Sequence, residues 1–149
     1  MAQKIKGTYA LLIFVESDCD IVVGALGQRH FLAGWYVYIG SAQNGLFQRI
    51  SRHLCTSKKK HWHVDYLLEQ SSIGEVWIFQ SNDSVECVCA DQLKEHFDCI
   101  KGFGCSDCSC TSHLFYGEKK EFSVVLAQLN FEQFSIDKFM SRFCVLEDR

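Results

Sequence analysis

The chain has 149 residues and a mass of 17.1 kDa, the size of one domain, and its 48% hydrophobic and 22% charged residues support a core and exclude a disordered chain. The absence of proline excludes proline-rich linkers, and the longest apolar run, Tyr9–Val15, is far shorter than the ~20 residues that span a bilayer. A formal net charge of −3 provides no global positive field for a polyanion.

Met1–Gly7 lacks the apolar stretch and small-residue cleavage site of a secretory signal. The nine cysteines are too sparse for a disulfide-stapled scaffold. The expectation is a soluble, cytoplasmic protein whose cysteines are small hydrophobes, metal ligands or reactive thiols. Charge is unevenly spread. Residues 45–68 are net +4 through Arg49, Arg52, Lys58, Lys59 and Lys60 against Asp65, whereas residues 69–99 are net −6. The basic stretch is where a phosphate is expected to go.

In chain order, Gly7–Val15 reads as a strand rich in apolar and aromatic residues. Ile21–Leu26 reads as a second strand leading to a tight Gly27-Gln28 turn, with a return through Arg29–Ala33 and a further strand over Trp35–Gly40. An antiparallel meander of three or four strands is predicted. Leu46, Phe47, Ile50 and Leu54 fall at helical spacing, and a short helix is expected over His61–Gln70. Ile73–Gln80 reads as a strand, and a helix capped by Asp83 or Ser84 runs to about Phe97. Lys101–Ser112 is a glycine- and cysteine-rich loop. Leu114–Tyr116 and Phe122–Leu129 are predicted strands, and Phe131–Phe143 a closing helix. The order implies an α+β domain over 1–149 with a mostly antiparallel sheet flanked by helices. Its core is 7–97, with an extra hairpin inside it and a cysteine-rich loop and β/α extension over 98–149.

Gly7-Thr8-Tyr9 heads the first strand. Tyr38-Ile39-Gly40-Ser41 ends the Trp35 strand, and Arg49, Arg52 and His53 follow on the next helix. This set resembles the GIY-YIG nuclease superfamily, and more closely an archaeal and bacterial branch of it. Members of that branch also carry runs like His61–Asp65 and Cys108–Phe115. The resemblance implies a fold with both tyrosines, Arg49, His53 and a later glutamate, Glu86, at a catalytic centre. Tyr9 and Tyr38 lie 29 positions apart, where most members join them by one tight hairpin, so the pair is expected to meet only if the sheet grows by insertion.

Phosphodiester hydrolysis needs an activated nucleophile, a cation at the developing charge and help for the leaving oxygen. A tyrosine, Tyr9 or Tyr38, is expected to serve as general base or to orient water, its ionised form favoured by the nearby guanidinium and by metal-bound water. Arg49 would clamp a phosphate oxygen and His53 assist proton transfer. Glu86 would hold one Mg²⁺ or Mn²⁺. Arg52, Lys58, Lys59 and Lys60, with His61 and His63 at the rim, would contact nucleic acid. Cys105, Cys108, Cys110 and His113 offer four zinc-type ligands in nine residues. That spacing is tighter than paired zinc knuckles, so ligands are alternatively shared with Cys87, Cys89 or Cys99, or the cysteines simply pack a turn. His61, His63 and Asp65 form a third set, either a metal site or a cleft rim.

The expected function is a metal-dependent endonuclease acting on DNA, including branched or damaged DNA. The competing expectation is a nucleic-acid-binding or protein-interaction module without hydrolysis and with a structural zinc loop. A thiol redox sensor ranks third. So few clustered cations make few phosphate contacts, so a protein partner or a homo-oligomer is expected to help.

Overall fold

The computed structural model describes residues 5–55, 60, 62–105 and 110–139. Eight strands are present: β1 Gly7–Val15, β2 Cys19–Val22, β3 Gln28–Phe31, β4 Gly34–Ala42, β5 Ser72–Gln80, β6 Asp98–Cys99, β7 Leu114–Gly117 and β8 Glu132–Phe134. The helices are α1 Leu46–Leu54, α2 His63–Leu68, α3 Glu86–Lys94, α4 Lys119–Gln128 and a single turn, α5 Asp137–Phe139. Six strands form one sheet in the order β6-β7-β4-β1-β5-β8, and every neighbouring pair is antiparallel. This is the α+β architecture that the element order implies.

Strand β1 sits inside the sheet, and all of its residues except Phe14 are buried. Alternate side chains of a strand point to opposite faces, so a strand with both faces covered reads as a continuous apolar run rather than an alternating one. Tyr9, Leu11, Ile13 and Val15 join a core with Ile50 of α1, Val64 and Leu67 of α2, and Phe31 of the β2–β3 hairpin. Ala10 and Leu12 join a second core with Cys89, Ala90 and Leu93 of α3 and Phe122 and Leu126 of α4. The result is three layers. Leu11, Leu12 and Ile13 are 0% exposed, and each such side chain contributes roughly 1.5–3 kcal/mol.

Several elements differ from the sequence expectation. Helix α3 runs over Glu86–Lys94 and is capped by Val85 without a side-chain hydrogen bond, not by Asp83 or Ser84. Strands β2 and β3 form a separate two-stranded sheet, joined by a 3-10 turn at Gly24–Leu26 rather than a tight Gly27-Gln28 turn. The insertion therefore packs on the core instead of entering the main sheet, and β1 pairs directly with β4. Phe122–Leu129, predicted as a strand, lies in α4 and its cap. Adjacent Val124 and Val125 suggest a strand, but Phe122 and Leu126 are one helical turn apart and both buried, while Val124 is exposed. The predicted closing helix begins instead as edge strand β8, paired with β5, followed by the short α5; its part beyond Phe139 lies outside the described residues. Among the described residues, no helix is long and apolar enough to cross a membrane.

Candidate functional site

The first two tyrosines of the sequence motif are brought together by strand register. Tyr9 lies opposite Gly40 and Leu11 opposite Tyr38, so the tyrosines are diagonal neighbours on one face. Their ring centroids are 6.3 Å apart. Gly40 makes room for this. A Cβ there would overlap the Tyr9 ring, and one at Gly7 would overlap the Phe79 carbonyl oxygen on β5. Thr8, between Gly7 and Tyr9, faces the other side, and its Oγ1 accepts the Val85 N–H at 3.3 Å at the start of α3. One tripeptide thus sets strand spacing, anchors a helix and places a phenol. Gly40→Ala is expected to displace the Tyr9 ring and cost about 1–3 kcal/mol, measured by denaturant unfolding. An unchanged midpoint would contradict this account of the glycine.

Helix α1 docks through buried Leu46 and Ile50 and presents Arg49 and His53, one turn apart, beside the phenols. The Tyr9 hydroxyl and His53 Nε2 are 2.6 Å apart, both buried. The Arg49 Nη1 donates to the Ser41 carbonyl at 3.1 Å, and its guanidinium lies 4.3 Å from the centroid of Trp62. Arg52 lies 4.4 Å from the same ring, so the indole is stacked by two guanidinium groups, each favoured over its face. Arg52 then forks onto Asp65, with Nη1–Oδ1 3.1 Å and Nη2–Oδ2 3.2 Å. Asp65 is 1% exposed, accepts the Trp62 N–H at 2.9 Å, and lies 3.9 Å from His53 Nδ1. A chain of polar groups runs from Tyr9 through His53 to Asp65 and Arg52.

Burial raises the pKa of Tyr9. The Arg49 charge and a hydrogen bond from it oppose the shift, while Glu86 and Asp65 add to it. Tyr38 is raised well above the ordinary phenol value by burial, then by Tyr9 and Glu86, with Arg49 opposing. Tyr36 is also raised, by burial first. The expected ionisation of a phenol by the guanidinium is thus outweighed by desolvation. Arg49 acts on the Tyr9 oxygen from one side, and one proton is shared between that oxygen and His53 Nε2 on the other, held by whichever of them the imidazole tautomer makes the donor. The linkage follows in sign. These tyrosines ionise in the unfolded chain near pH ~10 but later in the folded one. Stability is therefore full below pH ~10 and falls above it. A thermal midpoint that drops beyond pH ~10, with tyrosinate absorbance of folded protein lagging that of denatured protein, is the expected result.

Glu86 opens α3, on the sheet face opposite α1. It lies at the helix end nearest β1, and its charge reaches both phenols. Its Oε2 is 3.6 Å from His113 Nδ1. Cys87, Cys110 and His113 bring donor atoms within 4.8 Å of one another, among the described residues the one group of this kind. This trio can hold a metal ion. It overlaps only partly with the expected loop set. Cys110 and His113 belong to it, whereas the Cys105 thiol points to the Phe103 carbonyl at 3.4 Å, and Cys108 lies outside the described residues.

The basic stretch is less available than its charge suggests. Arg52 turns to Asp65, and Lys60 pairs with Glu69 at 2.9 Å. His63 accepts the Gly104 N–H through Nδ1 at 2.8 Å, and burial lowers its pKa. His63 and Asp65 therefore serve packing and ion pairing. Lys58, Lys59 and His61 lie outside the described residues. Sequence reasoning missed the roles of Trp62 and Asp65 around the arginines. The spacing of Arg52, Trp62 and Asp65 holds a weak signal, since Asp65 stands at the third position of α2, where it caps the Trp62 N–H.

No curated protein matches the chain, and no solved structure does. One family model, described as Domain of unknown function DUF123, matches residues 8–135. That span holds both tyrosines, Arg49, His53, Asp65, Glu86 and the Cys87–Cys110–His113 group. The protein belongs to the DUF123 family.

Proposed function

We propose that this protein is a divalent-metal-dependent endonuclease that hydrolyses DNA phosphodiester bonds, of the GIY-YIG kind that its motifs resemble. The observation that carries the reading is the buried contact between the Tyr9 hydroxyl and His53 Nε2, 2.6 Å long, next to Arg49. A buried network of titratable groups is costly to a fold unless it serves a purpose, and hydrolysis is a purpose that fits.

In this reading Arg49, oriented by the Ser41 carbonyl and the Trp62 face, grips a non-bridging phosphate oxygen. An attacking water passes its proton to the Tyr9 oxygen while the Tyr9 proton moves to His53 Nε2. The water oxygen forms the new P–O bond, the ester P–O bond breaks, and the leaving alkoxide takes a proton from solvent. Tyr9 therefore relays a proton without being ionised at rest. The imidazolium that results faces the Asp65 carboxylate, as the orienting acid does in a hydrolytic triad. Tyr38, whose ring centroid is 6.3 Å from that of Tyr9, orients the water.

Glu86, a carboxylate whose side chain is 28% exposed, suits Mg²⁺ or Mn²⁺, since such ions take one or two carboxylates and fill the rest with water and phosphate oxygens. When bound, the ion neutralises charge on the phosphate. Cys87, Cys110 and His113 suit a softer ion, zinc. The test is cleavage of plain, nicked and branched DNA with Mg²⁺ or Mn²⁺. Wild type is expected to cut, and Arg49→Ala and Glu86→Ala to lose roughly 10²-fold or more. Variants as active as wild type would overturn the site, and a wild type inert on every substrate would overturn the function.

A binding module without hydrolysis is the second reading. It is favoured by the ion pairs Arg52–Asp65 and Lys60–Glu69, which draw two cations of the basic stretch away from phosphate. DNA binding with no cleavage, and with a shallow salt dependence of about two or three contacts, would select it.

A further inference from the structure

We infer that the thiol–imidazole centre and the carboxylate at Glu86 are one coupled unit: His113 holds a soft divalent ion through one ring nitrogen and orients Glu86 through the other. This rests on the zinc reading of Cys87, Cys110 and His113 given above, and not on nuclease activity.

The three donors come from separate places. Cys87 is in the first turn of α3, where the helix dipole favours a negative group. Cys110 lies in the cysteine-rich loop, and His113 immediately precedes β7. Packing alone does not account for Cys87. Residues two apart on a helix project to nearly opposite sides, and the two cysteines of α3 illustrate this. Cys89 enters the apolar core at 4% exposure, where burial pushes its thiol up to about 11. Cys87 instead meets a second sulfur and an imidazole. Two sulfurs and one imidazole nitrogen are the donor types of a tetrahedral zinc site, with a fourth position to fill.

His113 is held firmly enough to act as a bridge. It is 2% exposed. Its backbone N–H donates to the Phe103 carbonyl at 2.8 Å, and its carbonyl accepts the Ile39 N–H at 2.9 Å. Gly104, at φ +74°, passes so close that a Cβ there would sit 3.2 Å from the His113 Cβ and 3.4 Å from the Tyr38 ring. His113 Nδ1 lies 3.6 Å from Glu86 Oε2, and in this proposal the ion therefore goes to Nε2. Metal-bound histidines commonly give their other N–H to a carboxylate, which fixes the ring and raises its basicity. Here Glu86 stands in that position, at ion-pair distance from Nδ1, and ion binding is proposed to close the contact into a hydrogen bond. Binding of the soft ion sets the orientation of Glu86, and Glu86 in turn strengthens the soft site.

The experiment uses the full chain, reduced, stripped of metal and titrated with cobalt(II) alone. One cobalt per chain with thiolate charge-transfer and tetrahedral visible bands is expected, displaced by zinc. Cys87→Ser is expected to lose the thiolate bands. Glu86→Ala should keep them and bind zinc about 10–100-fold more weakly in competition, while Glu86→Gln, whose amide oxygen still accepts from the ring, recovers part of the loss. Wild type without thiolate bands would overturn the site, as would chains whose Cys87 and Cys110 react only as a disulfide. Glu86→Ala with unaltered zinc affinity would overturn the coupling and leave the site standing. Because the readout is spectroscopic and a folded Glu86→Ala is checked by circular dichroism, an inert nuclease changes none of these outcomes.

Discussion

Arg52→Ala is expected to cost the fold about 3 kcal/mol, a large share of the ~5–15 kcal/mol that holds a domain together. The substitution leaves Asp65, with no exposed side-chain surface, without its bidentate partner. A buried carboxylate that keeps the Trp62 N–H but loses its guanidinium is what makes the broken pair expensive. Arg52 itself is 23% exposed, which places the loss at the lower end of the ~3–5 kcal/mol range for buried pairs. The loss is read as a fall in thermal midpoint of roughly 6–12 °C for a chain of this length. The same variant separates two roles for the residue. A phosphate contact predicts unchanged stability and a weaker salt dependence of DNA binding, whereas the ion pair predicts unfolding at lower temperature. A thermal midpoint within 1–2 °C of wild type, in the order-of-magnitude terms of that estimate, would show that Asp65 is satisfied without Arg52.

Under the proposed nuclease function, Tyr9→Phe is expected to reduce cleavage about 10²–10⁴-fold, the range for losing a positioned proton-transfer group. The phenyl ring fills nearly the same space between Gly40 and His53, so the fold survives, and only the hydroxyl that meets His53 Nε2 is removed. His53→Ala should lose a similar amount, and the double variant little more, because the two groups form one relay and such losses are not additive. Losses that multiply in the double variant would instead assign Tyr9 and His53 separate functions. Stability is a poor guide for His53→Ala, because a buried ring is removed, so the comparison is made on single-turnover rates with folded protein.

Much of the centre is legible in the chain. Gly7-Thr8-Tyr9 and Tyr38-Ile39-Gly40 are local patterns, and each residue in them has a local reason: a close strand crossing at Gly7, a ring accommodated at Gly40. The helix that carries Arg49 and His53 follows from apolar residues at helical spacing. Other features are not local. Whether the insertion at β2–β3 splits the tyrosines depends on which edge pairs with which, and hydrogen-bonding register rather than composition decides that β1 takes β4 as its neighbour. Within the helix at Lys119–Gln128 the adjacent Val124 and Val125 favour a strand by local pattern, while its buried face is set by α4 packing on Val37, Ile39 and Phe115.

The sequence alone carried the residue types of the centre, the continuous apolar run that makes β1 a doubly covered strand and the amphipathic spacing of α1, since those depend on neighbours along the chain. Folding in three dimensions chose the partners. It turned Arg52 inward to Asp65, stacked two guanidinium groups on Trp62, and joined Cys87 to Cys110 and His113 across 23 and 26 positions. It also set how far the tyrosines are desolvated. A charge pattern indicates which groups attract, but how much water each one loses is known only once the layers close over it, and that loss keeps Tyr9 and Tyr38 protonated.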